Sequence, residues 1–156
     1  MIISDATILI TLINIDEFRV LKLFIEKIII PYEVYHEVSQ KPNAKKYIDV
    51  QIEEAFISVE EYENLQLFNE INYLLDAGES ASITLAIERN LPLIIDEKKG
   101  RKFAEKQQVE IIGLLGILRF LYHDGRLSRE ETVEIVKKLN DSDFRISSKL
   151  LDLILV

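Results

Sequence analysis

Five short apolar runs recur along the chain: Met1–Ser4, Ile28–Ile30, Phe56–Val59, Leu91–Ile95 and Val109–Ile112. Segments long enough for helices separate most of them. Runs such as Leu93-Ile94-Ile95 are uniformly apolar rather than alternating. Strands buried on both faces read this way, whereas a half-exposed antiparallel sheet alternates apolar and polar residues. The pattern predicts an α/β chain with a central parallel sheet covered by helices on both sides. Ligands of such sheets bind beyond the carboxyl ends of the strands, and Asp5 and Asp96 follow two of the runs directly.

Between the runs the helix signals are local. Asp16 reads as the N-cap of a helix to about Lys27, and Pro31 suits a first helical turn with Val34 and Val38 on one face. Ser39–Lys46 reads as a polar loop around Pro42. A charged helix is expected up to about Leu75, then a helix over Ser80–Arg89, apolar nearly all round, with Asn90 as its C-cap. Further helices are expected over Lys98–Gln107, Gly113–His123, from the capping-box sequence Ser128-Arg129-Glu130-Glu131 to about Leu139, and from about Ser147 onward. No internal repeat or low-complexity stretch interrupts the 156 residues, so one domain over 1–156 is expected.

Composition removes several chemistries. With no cysteine, disulfide scaffolds, zinc ribbons and thiol nucleophiles are excluded. Two histidines, His36 and His123, leave little for a histidine-rich metal site and read as surface or helix-end residues. The formal charge of −8 excludes a uniformly basic nucleic-acid surface but not a local basic patch. Gly113 and Gly116 form G-x-x-G, not a phosphate-cradling glycine loop. The opening Met1-Ile2-Ile3-Ser4-Asp5 lacks the basic start of a signal peptide. No apolar stretch approaches the 18 or so residues of a membrane span. A cytoplasmic protein with no membrane partner is the expectation.

Four acids stand at the edges of apolar elements rather than in charged stretches: Asp5, Glu37, Glu79 and Asp96. Carboxylates drawn from distant parts of a chain suit hard cations such as Mg²⁺ or Mn²⁺, with water and substrate phosphates completing the shell. Without a cation they repel, at about 3 kcal/mol per pair for about 5 Å and an effective dielectric of about 20. Each acid also has a structural reading. Asp5 and Asp96 could cap helices, Glu37 could be solvated, and Asp76-Ala77-Gly78-Glu79 is a capping box with Asp as its first residue. Glu97 reads either as an accessory ligand or as an acid in the first turn of the next helix.

One expected helix is basic. Lys98, Lys99, Arg101, Lys102 and Lys106 lie on it, with 98, 102 and 106 in a stripe. It starts just after Asp96, so Lys98, Arg101 or Lys102 could hold phosphates beside an acidic pocket, or the face could simply be solvated.

Several segments, in order and spacing, resemble the PIN domains, nuclease domains of many prokaryotic toxin–antitoxin toxins and RNA-processing enzymes. They are Ile2-Ile3-Ser4-Asp5-Ala6-Thr7, the Pro-x-x-Val-x-x-Glu segment Pro31–Glu37, Leu75-Asp76-Ala77-Gly78-Glu79-Ser80-Ala81 and Leu93-Ile94-Ile95-Asp96-Glu97. Arg101 and Gly113-Leu114-Leu115-Gly116-Ile117-Leu118 are similar to a subgroup known as predicted nucleic-acid-binding proteins with a PIN domain. The resemblance spans essentially the whole chain. It implies a three-layer α/β/α sandwich, with Asp5, Glu37, Glu79 and Asp96 on the acidic metal-binding positions. It also implies Mg²⁺- or Mn²⁺-dependent cleavage of single-stranded RNA by water, with Thr7 supporting a ligand carboxylate or a metal-bound water. An antitoxin partner and a homodimer would accompany that reading. The apolar end Leu150–Val156 is the surface expected to associate, although it could instead pack on its own sheet. Many active members carry Asp where this chain has Glu79, and Thr or Ser where it has Ile94 and Ile95. The alternative reading is therefore a catalytically weak nucleic-acid-binding module, or a partner-binding regulatory protein of the same fold.

Overall fold

The computed structural model describes every residue from Met1 to Val156. Its five strands are β1 (Ile2–Ser4), β2 (Ile28–Ile30), β3 (Ile57–Val59), β4 (Leu93–Ile94) and β5 (Ile111–Ile112). They pair in the order β3-β2-β1-β4-β5, and every pair is parallel. The register sets Ile3 against Ile29 and Leu93, and Ser4 against Ile94. The chain winds outward from β1 in one direction and then, through β4, in the other. The strand order reverses between β1 and β4, which is where parallel sheets open a crevice at their carboxyl ends.

Helices cover both faces, completing the three-layer sandwich. Side chains alternate across the pleat. Ile2, Ile28, Ile30, Ile57 and Ile94 join the larger core, and Ile3, Ile29, Leu93 and Ile95 the smaller one. The larger core takes α1 (Ala6–Asn14), α2 (Arg19–Phe24), α3 (Tyr32–Ser39), α4 (Pro42–Glu53), α8 (Leu114–His123), α9 (Arg129–Asn140) and α10 (Ser148–Leu155). The smaller core takes α5 (Leu65–Asn72), α6 (Ala77–Arg89) and α7 (Lys98–Lys106). No helix is long and apolar enough to cross a membrane.

The helix over α6 forms as its composition predicts. Residues Gly78 to Ala86 are all buried, and the Ser80, Ser82 and Thr84 hydroxyls donate back to the carbonyls of Asp76, Gly78 and Ser80. That satisfies each hydroxyl inside its own helix, so the polar residues cost little to bury. Asn90 ends the helix in the left-handed conformation at φ 51°. Ser128 and Glu131 make the reciprocal capping box expected at α9.

Two expectations are corrected. Asp16 caps no helix: it sits at φ 57° in the turn after α1, and α2 begins only at Arg19. A compact Asp tolerates that left-handed backbone, which serves the turn rather than a helix start. Ser39–Lys46 is not a loop either. Pro42 is at the first turn of α4, whose Ala44, Ile48 and Gln51 are buried. Proline suits that position because its missing N–H is unneeded there.

Candidate metal and nucleic-acid site

Asp5 and Asp96 lie at the carboxyl ends of the adjacent strands β1 and β4, on the two sides of the strand-order reversal. Asp5 N–H donates to the Ile94 carbonyl at 3.0 Å, fastening the two strand ends together. Asp5 is 3% exposed and is the N-cap of α1, its Oδ1 accepting from Ala6 N–H at 2.6 Å. Its Oδ2 is buried with no hydrogen-bond partner. Burial pushes the Asp5 carboxyl up to about 7; the Ala6 N–H opposes this, and the charges of Glu37, Asp76 and Asp96 add to it.

Asp96 does not cap the helix that follows it. Glu97 does, accepting from Gly100 N–H at 3.0 Å. Asp96 turns instead to α8, where Oδ2 accepts from Leu114 N–H at 3.0 Å and Oδ1 meets the Arg101 guanidinium at 3.5 Å. Burial raises its titration, while Leu114 N–H and Arg101 hold it down. Gly113 is what lets α8 begin so close. A Cβ there would stand 2.3 Å from Asp96 Oδ1 and 2.7 Å from an Arg101 nitrogen.

Glu79 comes from α6 and is 6% exposed. Only half of the anticipated capping box forms. Asp76 accepts from Glu79 N–H at 2.9 Å, but the Glu79 carboxyl does not return the bond and its Oε1 is buried without a partner. A Cβ on Gly100 would be 3.0 Å from that oxygen, so α7 also approaches through a glycine. Burial drives Glu79 above the usual carboxylate range, with contact and charge from Asp76 and then the Asp5 charge adding to it. Glu37, on exposed ground in α3, points at the start of α6, where its Oε1 would lie 3.6 Å from a Cβ on Gly78. Although its surface is exposed, partial desolvation of the carboxyl and then the Asp76 charge raise it.

Asp5, Glu37, Glu79 and Asp96 thus share one neighbourhood, joined by Asp76, which in sequence reads only as a helix cap. One carboxyl does both: it caps α6 and adds its charge to Asp5, Glu37 and Glu79. Its place three residues before Glu79, at the same helix start, is the available signal. Thr7 is exposed in the first turn of α1, two residues past Asp5. Lys98 and Lys102 are exposed on α7, while Arg101 is half-buried against Asp96.

The donor set suits a hard divalent cation. Two buried carboxylate oxygens, Asp5 Oδ2 and Glu79 Oε1, lack any donor. Buried oxygens of this kind are costly unless a proton or a cation meets them. No three Asp, Glu or His side chains stand close enough to grip an ion by themselves.

The family DUF3368, described as a PIN domain, matches residues 1–156. No curated protein matches the chain significantly. PIN domains generally use divalent metal ions, and the fold is of nuclease type. The five-stranded parallel sheet, the helices on both faces and the full-length match agree, and the chain belongs to the PIN-domain family.

Proposed function

We propose that this chain is a Mg²⁺- or Mn²⁺-dependent endoribonuclease of the PIN class that cleaves single-stranded RNA, acting as one domain over 1–156. The observation that carries the reading is the pair of unsatisfied buried oxygens, Asp5 Oδ2 and Glu79 Oε1, beside Asp96 where the strand order reverses. A bound divalent ion supplies positive charge there, neutralising the carboxylates and polarising a substrate phosphate.

The chain's own residues divide the work. Asp5 and Asp96 hold the ion. Glu37 and Glu79 would complete its surroundings and orient the attacking water; its oxygen bonds to phosphorus as the P–O bond to the leaving oxygen breaks, and that oxygen takes a proton from solvent. Glu37 accepts the water's proton, a role its exposure at the rim supports. Thr7 can hydrogen-bond a water at the ion, and Glu97 is an accessory acid through the carboxylate oxygen its cap leaves over. Lys98, Arg101 and Lys102 neutralise phosphates of the strand. Arg101 faces Asp96, and with that carboxylate engaged by an ion the guanidinium would be available to a substrate phosphate.

A toxin role with an antitoxin partner, a cytoplasmic setting and a homodimer complete the proposal. The dimer reading draws on exposed apolar residues at the end of the chain: Leu153 is 57% and Val156 80% exposed, although Ile154 packs inward. The deciding assay is labelled single-stranded RNA with Mg²⁺, Mn²⁺ or EDTA, comparing wild type with Asp5→Asn. Cleavage lost in EDTA and in the variant is expected. Cleavage surviving either condition overturns the metal site, and salt-sensitive binding without cleavage selects the binding-module reading.

A further inference from the structure

One helical turn before Glu37, α3 lines a cavity. Tyr32, Glu33, Glu61 and Tyr62 surround about 290 Å³ at the carboxyl-end side of β2 and β3. Glu33 and Glu37 are four residues apart on one helix, so this cavity adjoins the acidic centre at a rise of about 6 Å.

The cavity is built rather than incidental. Tyr62 O–H donates to Glu33 Oε2 at 2.5 Å, and its ring stacks on Phe68 with centroids 4.9 Å apart and planes 21° off parallel. The segment carrying Glu61 and Tyr62 is tied to α6. The Glu88 carboxylate accepts the Glu63 and Asn64 N–H groups, and Arg89 pairs with Glu60 and donates to the Glu61 carbonyl. Tyr32, 59% exposed, lies against Tyr35 and His36 with centroids 6.4 and 6.0 Å away.

The lining states what fits. It holds two aromatic rings, two carboxylates and no cation. A phosphate is repelled. A flat ring that stacks on tyrosine and presents N–H groups to carboxylates is attracted. Resting on the ribonuclease reading, we propose that this cavity is a nucleobase subsite. It takes one unstacked base of the RNA strand, with Tyr32 as the stacking surface and Glu33 as acceptor for an exocyclic amine. Cytosine, adenine and guanine carry such an amine. Uracil presents carbonyl oxygens on both sides of its single Watson–Crick N–H, and those oxygens face the carboxylates unfavourably. Glu33 and Tyr32 are then specificity-determining residues for the strand that the acidic centre cuts.

The test uses free cytidine and uridine, which carry no phosphate and need no metal. Titrated into the ¹⁵N-labelled full chain, cytidine is expected to shift the amides of Tyr32, Glu33, Glu61 and Tyr62. It should bind about tenfold or more tighter than uridine, the usual range for one well-placed base contact. Tyr32→Ala should weaken cytidine about 5- to 100-fold, as loss of one stacked base does, and Tyr32→Phe should restore it. Glu33→Gln, whose amide still accepts from Tyr62, should bring cytidine and uridine within about twofold, since an amide donates and accepts alike. Equal shifts from the two nucleosides, shifts elsewhere, or none at all overturn the subsite, whatever the cleavage assay gives. Cytidine-selective shifts in a chain that cleaves no RNA leave the subsite standing and overturn the ribonuclease reading instead. Melting curves of the variants check that each is folded.

Discussion

Replacing Asp5 by Asn tests the acidic centre through stability, without any substrate. Asp5 is 3% exposed, and its carboxyl is raised from 3.8 to about 7, by burial first. An acid whose titration is raised in the folded state stabilises fully below its unfolded value. It loses that contribution as pH climbs through the folded value. The wild type should therefore weaken between about pH 4 and pH 7. A shift of about three units corresponds to about 4 kcal/mol as a ceiling. Local relaxation and entry of water bring the expectation down to about 2 kcal/mol. Asn keeps the cap on Ala6 N–H, because Asn caps as well as Asp does. It carries no charge toward Glu37, Asp76 and Asp96. In EDTA at pH 8, Asp5→Asn should melt about 4–8 °C above wild type, at the 2–4 °C per kcal/mol usual for chains of this size. At pH 4 the two curves should coincide. With Mn²⁺ at about a hundred times its dissociation constant, wild type should gain about 2.7 kcal/mol and the variant little. Thermal unfolding by circular dichroism at pH 4, 6 and 8, with EDTA or Mn²⁺, reads all three. An Asn variant less stable than wild type at pH 8, or one whose advantage is equal at pH 4, would refute the reasoning.

Two further outcomes follow from the same site. Gly113→Ala places a Cβ 2.3 Å from Asp96 Oδ1, so the carboxylate must move. We expect a loss of about 1–3 kcal/mol, as for other overpacked sites, and a smaller Mn²⁺ shift in the melting temperature; an unchanged Mn²⁺ shift would show that Asp96 need not hold its position. Lys102→Ala should weaken RNA binding and lower the slope of log affinity against log salt by about one, with the Mn²⁺ response intact; a slope equal to wild type would remove Lys102 from the strand's path.

Much of this protein is legible in local sequence because its physics is local. Short, uniformly apolar runs bounded by turn residues suit strands buried on both faces, and β4 lies in such a run, Leu93-Ile94-Ile95. Ser128-Arg129-Glu130-Glu131 carries its capping box within a single turn. Asp5 and Asp96 declare themselves by standing where apolar runs stop. The Ser39–Lys46 stretch misleads because its polarity belongs to the surface side of a helix start, while the residues that bury α4, Ala44 and Ile48, carry a weak signal in a charged context.

The roles of the acids were decided in three dimensions. From sequence, Asp96 and Glu97 compete for one cap, and Asp76 and Glu79 look like a reciprocal box. Packing α8 against β4 through Gly113 brings Leu114 N–H and Arg101 to Asp96, which leaves Glu97 to cap α7. Burial of α6 leaves Glu79 Oε1 without a hydrogen-bond partner and sets the carboxyl beside Asp76, within reach of the Asp5 charge. Likewise Tyr62 and Glu33, 29 residues apart, meet only because β2 and β3 are neighbours. Sequence alone determined which strands exist and which acids end them, since burial and chain direction are written residue by residue. Tertiary structure decided which carboxyls lose their hydrogen-bond partners, because the helix ends that satisfy or desert them arrive from distant parts of the chain.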